Sequence, residues 1–309
     1  DTFGKVLDEV SELASENHDE VIPLRDMAFE GLERMRISGE EVEVLPSAQR
    51  LLANRLRVPY SYLTRCPDDL QADNLNYWLF QEGQVRESLF CRFKGDRLRA
   101  VFTDRYTAID HTEVISRMMD CGLDPQREVH YCLDETLLIL KVPDYQRQFK
   151  LQEDGIVPGI SLANSEVGLL ALTIEAYFFR LVCSNGLISK TEVTSRFKHV
   201  SRKVLEQFPE VLGQVVQEST NGQRQFQLSL ECPVNDPASS IAMLSSQFKL
   251  TKKEMEAAKD AWDLERGYNL YYVVNAFTRG ARDNDLNAEE SYRLERVAGM
   301  VLGMVKGKT

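Results

Sequence analysis

The chain has 309 residues, 43% apolar and 28% charged, the make-up of an ordinary soluble globular protein with room for a sizeable core. No apolar run approaches the ~18 residues of a membrane span, and residues 1–16 are acidic rather than basic and apolar, so neither a membrane helix nor an export signal is expected and a cytoplasmic location is. The net charge of −11 is uneven: residues 1–45 hold thirteen acids against four bases, a net of −9, which leaves −2 for the rest.

In chain order, Phe3, Val6, Leu7, Val10, Leu13 and Ala14 recur at helical spacing, so one face of residues 2–16 is apolar and the other acidic. This reads as a helix docked on the body of the protein, with a partner-binding or DNA-mimicking arm as the alternative. Residues 23–46 read as extended and irregular, with EEVEVLP as a strand. Ser47 is placed to cap a helix through Leu56, after which Val58-Pro59 turns the chain. Pro67 opens a further helix with Asp68 and Asp69 in its first turn, carrying Leu70, Tyr77 and Trp78.

SLFCRFK (88–94) and RLRAVFT (97–103) flank Gly95-Asp96, a two-residue hairpin turn. Strand alternation places Arg92, Lys94, Arg97 and Arg99 on one face, with Lys94 expected opposite Arg97 and Arg92 opposite Arg99. Four like charges on one face repel unless anions or carboxylates relieve them. A solvated strand face is the plain reading, and a phosphate-holding surface the sharper one. Asp110 with Glu113 reads as a capping box for HTEVISRMMD, and a second hairpin turns at Asp134-Glu135.

Residues 144–158 read as a polar connection, followed by the strand–turn–strand stretch 159–188. The window 190–203 is the most basic in the chain, with Lys190, Arg196, Lys198, Arg202 and Lys203 around Phe197 and His199. Helices then dominate. Thr251 with Glu254 and Asn287 with Glu290 are capping boxes, YNLYYVVNAFTRGARD reads as buried, and Leu294, Val297, Ala298, Val301, Leu302 and Val305 form one stripe. These readings give an α+β fold: a largely antiparallel sheet from 88–109, 127–142 and 157–188, with a helical C-terminal third packed on it. The expected organisation is an acidic arm over 1–45, an α+β core over 46–220 and a helical region over 221–309.

Four blocks stand in a familiar order: 50–79, LRAVFTDRYTAID (98–110), ISLANSEVGLLALTIEAYFFRLVCSNGLI (160–188) and LYYVVNAFTRGARD (270–283). Over roughly 45–285 the chain resembles the phage/plasmid-like proteins grouped as domain of unknown function 932. RAVFTDRY (99–106) is the most specific block. That resemblance implies a setting in mobile-element DNA metabolism, and no assigned activity.

Catalytic signatures are scarce. There is no phosphate-binding loop, dinucleotide fingerprint, Gly-x-Ser-x-Gly or His-Glu-x-x-His. Cys66, Cys91, Cys121, Cys132, Cys183 and Cys232 form no C-x-x-C pair, so zinc and disulfides are not expected. Asp104, Asp110, Glu166 and Glu175 would have to converge to hold a nuclease metal, and no E-x-K or D-x-K pairing accompanies them. His18, His111, His130 and His199 are scattered and read as structural. No cofactor, metal or catalytic residue is assigned, and an enzyme is not the favoured class. The expectation is a nucleic-acid-binding accessory protein, with single-stranded DNA held by Arg92, Lys94, Arg97, Arg99, Lys190, Arg196, Phe197, Lys198, Arg202 and Lys203. A protein-interaction or inhibitor role through residues 1–45 is the alternative, and a metal-dependent nuclease the third. Homo-oligomerisation is left open.

Overall fold

The amphipathic start of the chain forms α1 (Phe3–Leu13) in the computed structural model, which describes residues 1–152, 154–180, 185–189, 195–197, 203–218 and 222–305. Phe3, Val6 and Val10 are buried, and the Thr2 hydroxyl accepts from the Lys5 N–H at the helix start. The rest of the acidic segment is strand: β1 (Asn17–Pro23), β2 (Met27–Phe29), β3 (Arg34–Ile37) and β4 (Glu40–Val44). Three helices follow, α2 (Pro46–Arg55), α3 (Tyr60–Leu63) and α4 (Asp68–Gly83), then the hairpin β5 (Ser88–Lys94) and β6 (Arg97–Phe102). These strands build a first, six-stranded sheet in the order β1-β5-β6-β4-β3-β2, antiparallel except for β4 against β6. Its apolar face packs on α2, α3 and α4 around Leu52, Leu63, Leu75, Leu89, Cys91 and Leu98.

The second sheet begins after α5 (His111–Asp120), with β7 (His130–Leu133), β8 (Leu138–Pro143), β9 (Phe149–Leu151), β10 (Asp154–Asn164), β11 (Leu172–Arg180), β12 (Asn185–Ser189) and β13 (Ser195–Phe197). Its order is β12-β11-β10-β8-β7, with β13 also on β11 and β9 also on β10, and every pairing is antiparallel among the described residues. Every residue of β11 is buried, as expected of a strand covered on both faces. One face meets the larger core with α1, α5 and the C-terminal helices. The other meets a smaller cluster of Leu137, Ile139, Val157, Tyr177, Phe179 and Tyr292. The helices are α6 (Lys203–Glu218), α7 (Gly222–Glu231), α8 (Pro237–Gln247), α9 (Lys252–Leu264), α10 (Leu270–Gly280) and α11 (Ala288–Gly303).

The α+β class and the helical C-terminal region stand as expected from the sequence. Both C-terminal capping boxes form, Thr251 with Glu254 and Asn287 with Glu290. Other expectations need correction. The hairpin does not share a sheet with the later strands, because β1 takes the outer edge of β5 and β4 that of β6. Much of the expected polar connection over 144–158 is strand instead, as β9 and the start of β10. Pro46, not Ser47, opens α2, and the Ser47 hydroxyl donates instead to the Arg99 carbonyl at 2.6 Å.

Gly159 lies where β10 crosses β8 at closest approach. A Cβ there would sit 2.3 Å from the Val142 carbonyl oxygen, and backbone cannot swing aside as a side-chain tip can. Gly159→Ala is expected to lower stability by about 2 kcal/mol or more, read as a lower urea midpoint. A midpoint unchanged from the parent would show that β8 and β10 have room to separate.

Candidate functional site

The basic face of the hairpin is where the two sheets meet. Leu89, Cys91 and Phe93 of β5 point into the first core, so Arg92 points the other way and is only 2% exposed. Its Nε donates to Asp19 Oδ1 at 2.9 Å, one terminal nitrogen bonds Asp110, and the other donates to the Glu166 carbonyl at 3.2 Å. Burial disfavours its charge, but Asp110 and Asp19 outweigh that and raise its pKa.

Arg99 reaches the same place through a bulge. Arg92 stands opposite Ala100, and Phe93 opposite Leu98, so Arg99 is the extra residue on β6. The expected pairing of Arg92 with Arg99 therefore does not form. The bulge turns Arg99 inward, where it is 5% exposed and bonds Glu166 Oε2 at 2.5 Å. Lys94 does face Arg97, and its ammonium bonds Glu135 of the β7–β8 turn at 2.5 Å. That hydrogen bond holds the Glu135 carboxyl below its usual range.

Glu166, in the β10–β11 turn, joins the sheets and caps α5 in the same step. Its Oε1 accepts the backbone N–H of His111 at 2.6 Å, the first residue of α5. The Asp110–Glu113 capping box is absent because the Asp110 carboxylate is turned to Arg92. A carboxylate from the other sheet thus serves the helix N-terminus, where negative charge is favoured. Burial pushes the Glu166 carboxyl up, but nearby positive charge, Arg99 included, and the His111 N–H outweigh it and hold it low.

That direction fixes a pH dependence. A carboxyl with a folded pKa below its unfolded value of about 4.3 stabilises the fold above that pH and loses the contribution as pH falls through the folded value. The stability gap between the parent chain and Glu166→Gln is expected to be constant near neutrality and to close only in acid. Urea midpoints from pH 7 down to pH 3 read it directly, and a gap independent of pH would assign the effect to packing.

His111 and Asn164 complete the cluster. The Asn164 amide nitrogen lies 3.0 Å from both the Ile109 carbonyl and His111 Nδ1. An amide NH₂ only donates, so Nδ1 accepts and the ring proton sits on Nε2. Burial lowers the His111 pKa, which agrees with a neutral ring. Beside the cluster is a cavity of about 180 Å³, lined by Arg99, His111, Glu166, Lys94, Glu135 and apolar side chains of α1, β7 and the α2 start.

The carboxylates considered for a metal do not converge. Asp104 pairs with Arg86, and Glu175 with Arg296 and Tyr292, leaving only Asp110 and Glu166 near each other, each with an arginine. Arg180, on the same strand as Glu175, binds Asp154 and Glu265. No group of three potential metal ligands forms among the described residues.

Of the ten nucleic-acid-binding candidates, Arg92 and Arg99 are inside the protein and Lys94 is ion-paired, while Arg97 is half-exposed in the hairpin. Arg196 and Phe197 lie on β13 beside Thr173 and Leu172, and Lys203 opens α6. Lys190, Lys198 and Arg202 fall outside the described residues. His111, read from the sequence as structural, and Asn164, in the strand–turn–strand stretch, are at the centre of the cluster. The signal for them was in hand, since DRYTAID runs into His111 and ISLANSE holds Asn164 and Glu166.

Fold and site together define an α+β protein whose most organised polar site is a buried arginine–carboxylate cluster. A family model described as Domain of unknown function (DUF932) matches residues 100–298, and the chain belongs to that family. The match starts inside β6, so it takes in Asp110, His111, Asn164 and Glu166 and leaves out Arg92 and Arg99. No curated protein and no solved structure matches the chain.

Proposed function

We propose that this protein acts by binding a protein partner rather than by catalysis, and that α4 is the contact. The observation that carries this is an outward aromatic face. Tyr77, Trp78 and Phe80 are 58%, 45% and 67% exposed, on a helix whose Leu75 and Leu79 are already buried. Tyr77 and Trp78 pack edge to face at 5.1 Å, and Tyr77 and Phe80, three residues apart, share a side of the helix. Exposed clustered aromatics are the usual anchors of protein interfaces. Phe80 also borders a groove of about 490 Å³ formed with Leu24, Met27, Ala28 and Leu79.

Charge chooses the partner's chemistry. The helix carries Asp68, Asp69, Asp73 and Glu82 and no lysine or arginine. That disfavours a phosphate backbone and favours a segment with basic and apolar side chains. In the test, the full chain and a Tyr77→Ala/Trp78→Ala/Phe80→Ala variant are used as bait, and any captured protein is then titrated as a pure component. The variant is expected to lose affinity by about a hundredfold, as loss of interface aromatics does. Equal affinity for the two would remove α4 from the interface.

A second reading, nucleic-acid binding, rests on the 190–203 window, whose five bases stand against the single acid Glu192. The hairpin adds little to it, because Arg92 and Arg99 are spent on internal carboxylates and Lys94 on Glu135, which leaves Arg97. If the window holds phosphates, a mobility shift with single-stranded DNA should weaken steeply with salt and persist in an Arg97→Glu variant. No shift at micromolar protein and low salt would discard this reading.

A further inference from the structure

We propose that the cavity between the β7–β8 hairpin and the α10–α11 corner is a binding site for a small organic monoanion, a carboxylate on an apolar body of about ring size. The cavity holds about 330 Å³. One side is the second sheet, through β7, β8 and β11, and the other is the α10–α11 loop with the first two turns of α11. Ala288, Ser291, Tyr292 and Glu295 recur every three or four residues, so a single face of α11 lines it. The whole site lies within the residues that the family model matches.

Charge at this cavity is unbalanced. Among the described residues, Lys141, Arg282 and Glu295 are the formally charged side chains on its walls. His130 adds none near neutrality, because burial lowers its pKa. Lys141 is spent: its ammonium bonds both carboxylate oxygens of Glu295 at 2.5 Å and stands 5.4 Å from the centre of the Tyr177 ring. Arg282 is not spent. Its side chain is exposed and makes no ion pair or hydrogen bond among the described residues. Its charge still reaches the wall, since it helps to lower the His130 pKa and opposes the rise that burial imposes on Tyr177. One positive charge is therefore left over at a cavity in a chain of net −11.

That surplus sets the ligand's charge and shape. A guanidinium offers paired N–H donors that match the two oxygens of a carboxylate. A dianion such as a phosphate monoester would bring a second negative charge beside Glu295 with no cation left to meet it. Ile139, Leu286 and Ala288 supply apolar wall for the rest of the molecule. The volume is about twice the roughly 150 Å³ that encloses benzene, which leaves space for a ring and its carboxylate.

The probe is benzoate, titrated into the full chain at about pH 8 by ligand-observed NMR. Three controls each remove one feature: acetate lacks the apolar body, benzamide lacks the charge, and phenyl phosphate is a dianion at that pH. Benzoate is expected to bind, and each control to bind about tenfold more weakly or worse. Arg282→Gln, at an exposed position, should weaken benzoate about tenfold or more and leave benzamide unchanged, as loss of a charge-assisted contact does. Ser291→Trp, at a half-buried wall position, should exclude benzoate by filling the cavity. Absence of benzoate binding at millimolar concentration, or binding that either variant leaves unchanged, would overturn the proposal. So would a control that binds as well as benzoate. The test involves neither α4 nor residues 190–203, so its failure leaves the partner-binding reading standing, and the reverse holds.

Discussion

Removal of residues 1–45 is expected to abolish cooperative folding. The sequence presents this stretch as an acidic arm set apart from the α+β core. In the structure one of its carboxylates meets the basic face of the hairpin, from a strand paired in register: Asp19 stands opposite Arg92, and β1 runs along the whole of β5. Residues 1–45 supply four of the six strands of the first sheet. They also bury twelve apolar side chains, from Phe3, Val6 and Val10 in the larger core to Met35, Val42 and Val44 in the core of the first sheet. At about 1.5–3 kcal/mol each that is some 20–35 kcal/mol of gross burial, beyond the 5–15 kcal/mol by which domains are stable. The truncated chain should show no sharp urea transition and should bind a hydrophobic dye. A sharp transition near the parent midpoint would mean that residues 46–309 fold alone and that the arm is separable after all.

What the sequence shows and what it hides divide along a physical line. Local signals were legible: the Gly95-Asp96 turn, with Gly95 at φ +57°, the two C-terminal capping boxes and the stripe on α11 each depend on neighbours within a few residues. Long-range choices were not. Asp110 has the right spacing to Glu113 for a cap, but Arg92 outbids the helix for its carboxylate, and Glu166, 55 residues away, takes over the cap. The basic face of the hairpin illustrates the same limit. Alternation alone puts Arg92 and Lys94 on one side of β5, but it cannot say whether solvent, phosphate or carboxylate waits there. The bulge at Arg99, which brings the second guanidinium inside, leaves no mark in residue type. The family blocks came nearer, because two of them, around Asp110 and around Glu166, supply the residues that meet across the sheets.

Glu166→Ala is expected to destabilise the protein by about 3–5 kcal/mol, the cost of leaving a buried charge without its partner. Three losses coincide. The Arg99 guanidinium keeps its burial but loses its carboxylate, the His111 N–H at the start of α5 loses its acceptor, and the contact between the sheets loses a side chain that is 3% exposed. Glu166→Gln should cost less, since an amide oxygen still accepts the His111 N–H while the ion pair is gone. The double variant Arg99→Leu/Glu166→Leu separates these parts. With both charges removed, desolvation no longer opposes folding, and exchanging a buried pair for apolar residues is often close to neutral. The cap on α5 is still missing, so the double variant is expected to remain below the parent by about 1 kcal/mol, the usual worth of a helix cap. Urea unfolding of the four proteins measures all of this. A double variant less stable than Glu166→Ala would mean that Arg99 and Glu166 do not act as a pair. A Glu166→Ala cost below about 1 kcal/mol would mean that water reaches the cluster and screens it.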